Sequence, residues 1–322
     1  MPRATALPRL IALLAAIVAL SAGCSSAPVD APLSAAVPAG APTTVAAGAP
    51  AARPAAIAAG AVAGSAAVPY AKAESTATGG AAAVGTADPA SLPAGTLYLD
   101  PATGRREVIE PDMAQTAVLI GDSQSEGAAG VATRNTWTNT ALQKLGFHVQ
   151  FRGKGGTGFV ASNGTVGNYP DALEHGNWYL PYGPAPLVVI EGGGNDATRH
   201  ATDEQILANA ARLVRDLKQT YPKAQLVMIG TLAKGADNGG GRRTQVDTLL
   251  GGFAAKNSIP FISAGNWITR YGLANKMADG VHLTAAGHQV LSGVLATELD
   301  KLGIKAPAQG ATAVVARLPR TE

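Results

Sequence analysis

The chain has 322 residues, one cysteine and a formal charge of +3, which falls to +1 once the two arginines of residues 1–23 are set aside. That balance supplies no basic surface for nucleic acid and no electrostatic patch for a membrane. A lone cysteine cannot close an internal disulfide.

In chain order, Met1 to Leu20 reads as a signal peptide. Arg3 and Arg9 precede the apolar run Leu10–Leu20, which is shorter than the roughly 20 residues that a mature membrane helix needs. "LSAGCSS" follows and resembles the lipobox of bacterial lipoproteins, with Ser21 where leucine is commoner. The resemblance implies cleavage after Gly23, diacylation of Cys24 and attachment of an exported protein to the extracytoplasmic face of the cell membrane. The alternative is an ordinary secretory cleavage site with an incidental cysteine.

Residues 24–95 are dominated by Ala, Pro, Gly, Val, Ser and Thr, with few charges and no periodic apolar face. Scattered Pro and Gly interrupt every potential helix, so the stretch reads as a tether. As a random coil, about 70 such residues would span on the order of 45 Å. Residues 306–322 have a similar composition and are expected to be a disordered tail.

Between them, residues 96–305 are expected to form one domain. It opens with a hairpin over 96–110 that turns at Asp100-Pro101 and Gly104. Short apolar strands are predicted at Ala117–Ile120, His148–Arg152, Leu187–Ile190, Leu226–Ile229 and Pro260–Ile262. Helical patterns are predicted at Thr138–Leu145, Asp203–Gln219, Gln245–Lys256 and Ala285–Lys301. Strands alternating with helices predict an α/β fold, a doubly wound parallel sheet in three layers. Ligands of such sheets bind beyond the carboxyl ends of the strands.

Four motifs fall at or just after predicted strand ends. "VLIGDSQSEG" ends the first strand and places Ser123 at its tip; the alternative is a strand-to-helix turn capped by Asp122 or Ser123. "FRGKGGTG" formally matches a dinucleotide fingerprint, but Gly164, Gly167 and Pro170 spoil the helix that would bind a pyrophosphate. What remains is a loop that exposes backbone N–H groups. "VVIEGGGNDAT" brings out Asn195 and Asp196 after a glycine run, as functional groups or as helix caps. "MADGVHLTAAGH" puts Asp279 and His282 three residues apart, on one side of a turn or as the opening of the last helix. His148, His175, His200 and His288 have no carboxylate at that spacing within such a block and read as structural or surface residues. No HExxH, CxxC or carboxylate cluster suggests a metal, and no cofactor is expected.

"GDSQS", the glycine of "GKGGTG", "GGGND" and "DGVH", in that order over roughly Thr116 to Leu302, resemble the blocks of the SGNH hydrolases, also called the GDSL family. Gln124 replaces the leucine of the commonest form. The resemblance implies a flavodoxin-like fold, with Ser123 as nucleophile, His282 as general base and Asp279 as its orienting partner. It implies an oxyanion hole made by the backbone N–H groups of Ser123 and Gly156 and the side-chain amide of Asn195. Gly153 and Gly155 lie beside Gly156 as alternatives. The chemistry is coherent, because a serine needs a base, imidazole can serve near neutrality, a carboxylate fixes its tautomer and the intermediate needs donors.

The expected function is a serine esterase that removes short acyl groups, foremost acetyl, from small esters or from glycans of the envelope or surroundings. The alternatives are an acyltransferase with the same residues and a non-catalytic glycan- or lipid-binding lipoprotein. The expected partners are the ester substrate and, through Cys24, the membrane, with the protein a monomer. Residues 159–186 are long for a loop and carry Tyr169, Trp178, Tyr179 and Tyr182 in a chain with 5% aromatics. They are expected either to wall the nucleophile or to pack on their own domain.

Overall fold

The computed structural model describes residues 88–308. The expected signal peptide, Cys24, residues 24–87 of the tether and the tail from residue 309 lie outside the described residues. Asp88 caps a single turn at Pro89–Ser91, and the Gly95 N–H donates to Ile109 O at 2.8 Å, so the hairpin is engaged from residue 95 onward. At the other end, the Ala306 N–H donates to Leu145 O at 2.9 Å.

In chain order the strands are β1 (Leu97–Leu99), β2 (Arg106–Ile109), β3 (Thr116–Gly121), β4 (His148–Gly153), β5 (Pro181–Tyr182), β6 (Leu187–Glu191), β7 (Gln225–Ile229) and β8 (Phe261–Ile262). The helices are α1 (Ser123–Glu126), α2 (Trp137–Lys144), α3 (Tyr169–Glu174), α4 (Gly194–Thr198), α5 (Asp203–Thr220), α6 (Gly241–Lys256), α7 (Trp267–Arg270) and α8 (Ala285–Lys301). The main sheet is parallel throughout, in the order β4-β3-β6-β7-β8.

Side-chain alternation along the strands divides the core in two. Val118, Ile120, Val188, Ile190 and Met228 face one way and pack with α5 and α6 through Ile206, Leu213, Leu217, Val246 and Leu250. Ala117, Leu119, Val189, Val227 and Ile229 face the other way and pack with α2 and α8 through Trp137, Leu142, Leu291 and Leu295. Every residue of β3 is buried, as a central parallel strand requires. The α/β doubly wound fold read from the sequence is therefore the fold observed. Strand order reverses between β3 and β6, so the crevice beyond their carboxyl ends is the topological switch point where such sheets bind ligands.

The second sheet, β1-β2-β5, joins the antiparallel hairpin to β5 in parallel. This corrects the reading of residues 159–186 as an aromatic wall. The segment is no loop: it holds α3 and β5, buries Tyr169 and Trp178 in its own domain and leaves Tyr179 and Tyr182 half-buried. Tyr169 is fully buried and meets Phe159 edge-on at 5.4 Å, Trp178 lies in the core, Tyr182 meets Tyr98 at 4.9 Å, and Tyr179 rests beside Gly176. Burial of the Tyr169 and Trp178 rings in the core, with Tyr182 against Tyr98 of the hairpin, outweighs display at the sheet edge. Among the described residues no helix is long and apolar enough to cross a membrane.

Candidate active site

At the carboxyl end of β3 the chain turns sharply into α1. Asp122 caps that helix, its Oδ1 accepting the Gln124 N–H at 2.9 Å, and Ser123 stands half-buried at the first helical position. Both sequence-based readings of this block therefore hold: the acid is a cap and the serine is presented.

Asp279 and His282 come from the turn before α8. An antiparallel bridge between Met277 and the buried Leu283 closes the turn, and the Ala278 N–H donates to His282 O at 2.7 Å. Asp279 Oδ1 accepts the Val281 and His282 N–H groups at 3.0 and 2.8 Å, while its Oδ2 lies 2.7 Å from His282 Nδ1. His282 Nε2 lies 2.9 Å from Ser123 Oγ. The hydrogen bonds from His282 and the two backbone donors pull the Asp279 carboxyl down to about 2, so it is ionised at neutral pH. An ionised carboxylate at Nδ1 holds the proton there and leaves Nε2 to face the serine. Such an arrangement can take a proton from Ser123 Oγ. Helix α8 itself is capped by Thr284, not by Asp279.

The glycine loop after β4 is pinned from two sides. Glu126 Oε2 accepts the Gly155 N–H at 2.6 Å, and its Oε1 pairs with Lys154 Nζ at 2.6 Å. Asp196 accepts the N–H groups of Phe159, Val160 and Ala161 at 2.9, 2.7 and 2.8 Å. Gly156 sits between them with φ +80°, a conformation that side chains rarely adopt. The Gly155 N–H is committed to Glu126, whereas among the described residues nothing accepts the N–H of Gly156 or of Ser123. Of the three neighbouring glycines, Gly156 thus retains a free donor while Gly155 does not.

Asn195 reaches the same place from the start of α4. Its Nδ2 donates to Thr157 O at 2.9 Å and to Asp122 Oδ2 at 3.1 Å. Both amide protons are engaged, and the longer bond to Asp122 is the weaker hold. Gly193, φ +99°, makes this approach possible: a Cβ there would lie 2.5 Å from Thr231 Oγ1 and 2.8 Å from Val246 Cγ1.

Three contributors had no signal in the sequence. Gln124, the residue that departs from the family's leucine, donates through Nε2 to Val281 O at 2.8 Å and so ties the serine turn to the Asp–His turn. Glu191, at the end of β6, is 1% exposed; it accepts Ser125 Oγ at 2.8 Å and the Asp122 N–H. Burial raises the Glu191 carboxyl well above the usual range and pushes Asp122 up to about 6. The third, Ser125, links Glu191 to Thr138, whose Oγ1 donates to it at 3.0 Å. His288, two turns of chain beyond His282, is buried and accepts the Trp137 N–H on Nδ1 at 3.0 Å, the structural histidine that the sequence implied. Among the described residues no group of His, Cys, Asp and Glu is placed to hold a metal ion.

The profile of the GDSL-like Lipase/Acylhydrolase family matches residues 119–290, more than half of the chain. No curated protein matches by sequence. Solved structures that resemble the chain include an active site mutant of a family two carbohydrate esterase from Clostridium thermocellum in complex with a cello-oligosaccharide, at 16% identity and a TM-score of 0.47 over 61% of this chain and 66% of that one. The chain therefore spans just under two thirds of that protein's length. A member of the lipolytic G-D-S-L family from Veillonella parvula matches at 17% identity and TM-score 0.44, over 58% of this chain and 98% of that one. The native aryl esterase of M. smegmatis matches at 21% and 0.42, over 58% and 99%. With its serine turn, glycine loop, Asn-Asp block and Asp–His turn gathered at one sheet edge within the matched residues, the chain belongs to the GDSL-like lipase/acylhydrolase family.

Proposed function

We propose that Ser123, His282 and Asp279 form the catalytic triad of an esterase that removes short acyl groups, most plainly acetyl, from glycans. The observation that carries this reading is the continuous chain from Asp279 Oδ2 to His282 Nδ1 at 2.7 Å and from His282 Nε2 to Ser123 Oγ at 2.9 Å. Ser123 Oγ attacks the ester carbonyl carbon while its proton passes to His282 Nε2. The carbonyl oxygen gains negative charge and is met by the Ser123 and Gly156 N–H groups and the Asn195 amide. The tetrahedral intermediate collapses, the bond to the alcohol breaks, and the alcohol oxygen takes the proton from His282. Water then attacks the acyl-serine, passing its proton to His282, and the acid leaves as Ser123 recovers a proton.

Small and polar surroundings support a short acyl group. A Cβ on Gly155 would lie 3.4 Å from Ser123 Cβ, and His282 Nε2 lies 2.9 Å from Ser123 Oγ, so a glycine and an imidazole flank the nucleophile. The glycan rests on residues 1–95: a signal peptide, a lipid anchor on Cys24 and a flexible tether would hold the domain among envelope polysaccharides. In the same reading, the anchored protein acts as a monomer. The test combines 4-nitrophenyl esters from acetate to palmitate with O-acetylated polysaccharides, using wild type and Ser123→Ala. Acetate release that Ser123→Ala abolishes is expected. Preference for long chains with no acetate released from any glycan refutes the substrate, and activity retained by Ser123→Ala refutes the mechanism. For the anchor, labelling with a radioactive fatty acid is expected in wild type and absent in Cys24→Ser.

A further inference from the structure

We propose that Arg243 binds an oxyacid group, a carboxylate, sulfate or phosphate, carried by the ester substrate itself. This deepens the esterase reading above and rests on it. Arg242 and Arg243 occupy the first turn of α6, which contains no acid. A cation there faces the positive end of the helix dipole, so helix stability does not explain either residue. Arg242 is accounted for by Asp203 Oδ1 at 2.6 Å and Ala201 O at 2.9 Å. Arg243 is half-buried, and among the described residues it makes no hydrogen bond and no ion pair. A guanidinium kept out of full solvent without a hydrogen-bond acceptor has unmet donor capacity.

Its position is at the candidate active site. The guanidinium lies over Gly194, where any Cβ would overlap Nη2 and come within 3.0 Å of Cζ. Gly194 is the residue before Asn195, so the absence of a side chain there leaves the space that Arg243 fills. Its charge is felt at Asp122 and Glu191, the acids directly behind the nucleophile turn. It makes no hydrogen bond to either acid, whose hydrogen-bond partners are other groups. Asp122 already accepts Gln124 N–H and Asn195 Nδ2, Glu191 accepts Ser125 Oγ, and burial drives both toward the neutral form. Near Gly156, Arg199 Nη2 comes within 3.9 Å of where a Gly156 Cβ would be, its Nη1 being held by Ser162 O. The nearby acid Glu126 is occupied by Lys154 and the Gly155 N–H. One guanidinium thus lies against the residue before Asn195 and another near Gly156, and the planar fork of each suits an oxyacid.

The charge could reside on the alcohol, as in a uronate ring, or on the acyl group, as in a dicarboxylic half-ester. Two matched pairs separate these: 4-acetoxybenzoate against 4-acetoxybenzamide, and 4-nitrophenyl hemisuccinate against 4-nitrophenyl butyrate. For one pair, Arg243→Met is expected to lower the anionic-to-neutral ratio of kcat/KM at least tenfold, mainly through KM, with Arg243→Lys retaining part of the preference. A ratio changed less than twofold for both pairs overturns the proposal, even if absolute rates fall, because a role in the oxyanion hole or in folding would depress both members alike. Binding is read separately by calorimetric titration of 4-acetoxybenzoate and of 4-nitrophenyl hemisuccinate into Ser123→Ala protein. Weaker binding of one of them after adding Arg243→Met supports the site, and unchanged binding of both overturns it. Wild type inactive on every ester sinks the esterase reading and leaves the anion site to that titration.

Discussion

His288 makes the pH dependence of stability testable at one residue. It is 2% exposed, its Nδ1 accepts the Trp137 N–H at 3.0 Å, and burial followed by the neighbouring His282 charge brings it from 6.5 down to about 4. A histidine depressed in the native state is neutral there while the unfolded chain takes up a proton. Its contribution is thus complete above 6.5 and is lost as pH falls toward 4. The linkage relation gives a loss of about 2 kcal/mol by pH 5 and about 3 kcal/mol by pH 4. His288→Asn keeps an acceptor of similar reach for the Trp137 N–H but cannot titrate. At pH 7 the variant should be less stable by about 1–2 kcal/mol, the ordinary cost of altering a packed site. Urea unfolding of both proteins at pH 7, 6, 5 and 4 is the assay. The stability difference should shrink as pH falls, and the curves should cross between about pH 5 and 6. Taking the difference removes Asp122, which titrates in the same window with opposite sign: raised to about 6, it loses stability as pH rises from about 4 to 6. A difference independent of pH, or one that widens in acid, would refute the assignment of a buried neutral imidazole.

Other changes probe the site itself. Asn195→Ala should lower kcat on 4-nitrophenyl acetate about 10²–10³-fold with little change in KM, as expected for a donor used in the transition state; a pure KM effect would contradict that role. Asp279→Asn should cost about 10⁴-fold in kcat if the carboxylate selects the His282 tautomer, and rates within tenfold of wild type would show that it does not. Gln124→Leu removes the bond to Val281 O and should reduce kcat through a looser Ser123–His282 pairing, measured together with an unchanged urea slope to exclude unfolding. Gly193→Ala adds a Cβ 2.5 Å from Thr231 Oγ1 at φ +99° and should destabilise the fold by about 2 kcal/mol or more while displacing Asn195; a melting temperature like that of wild type would contradict the crowding.

Local pattern is enough to determine much of this protein. The apolar runs of β3, β6 and β7 are continuous because both faces of a central parallel strand are buried. The periodic face of α5 and the span of α8 are legible for the complementary reason, since each helix buries one stripe. The serine, the glycine loop, Asn195 and the Asp279–His282 pair are visible because each sits in a short motif at a strand end, where the chain must turn. Strand order, by contrast, is a matter of which buried surfaces meet, and no local pattern encodes that β3 lies between β4 and β6. The short β5 and α3 escaped notice because two or six residues carry too little periodicity, and their aromatics find their partners, Phe159 for Tyr169 and Tyr98 for Tyr182, only in the assembled fold. The choice of Gly156 over Gly155 depended on Glu126 reaching across 29 positions to take one N–H and leave the other. Glu191 and Arg243 look like unremarkable charges in sequence; their meaning arises from burial behind the nucleophile turn and from the gap over Gly194, and both exist only once the strands have been brought side by side.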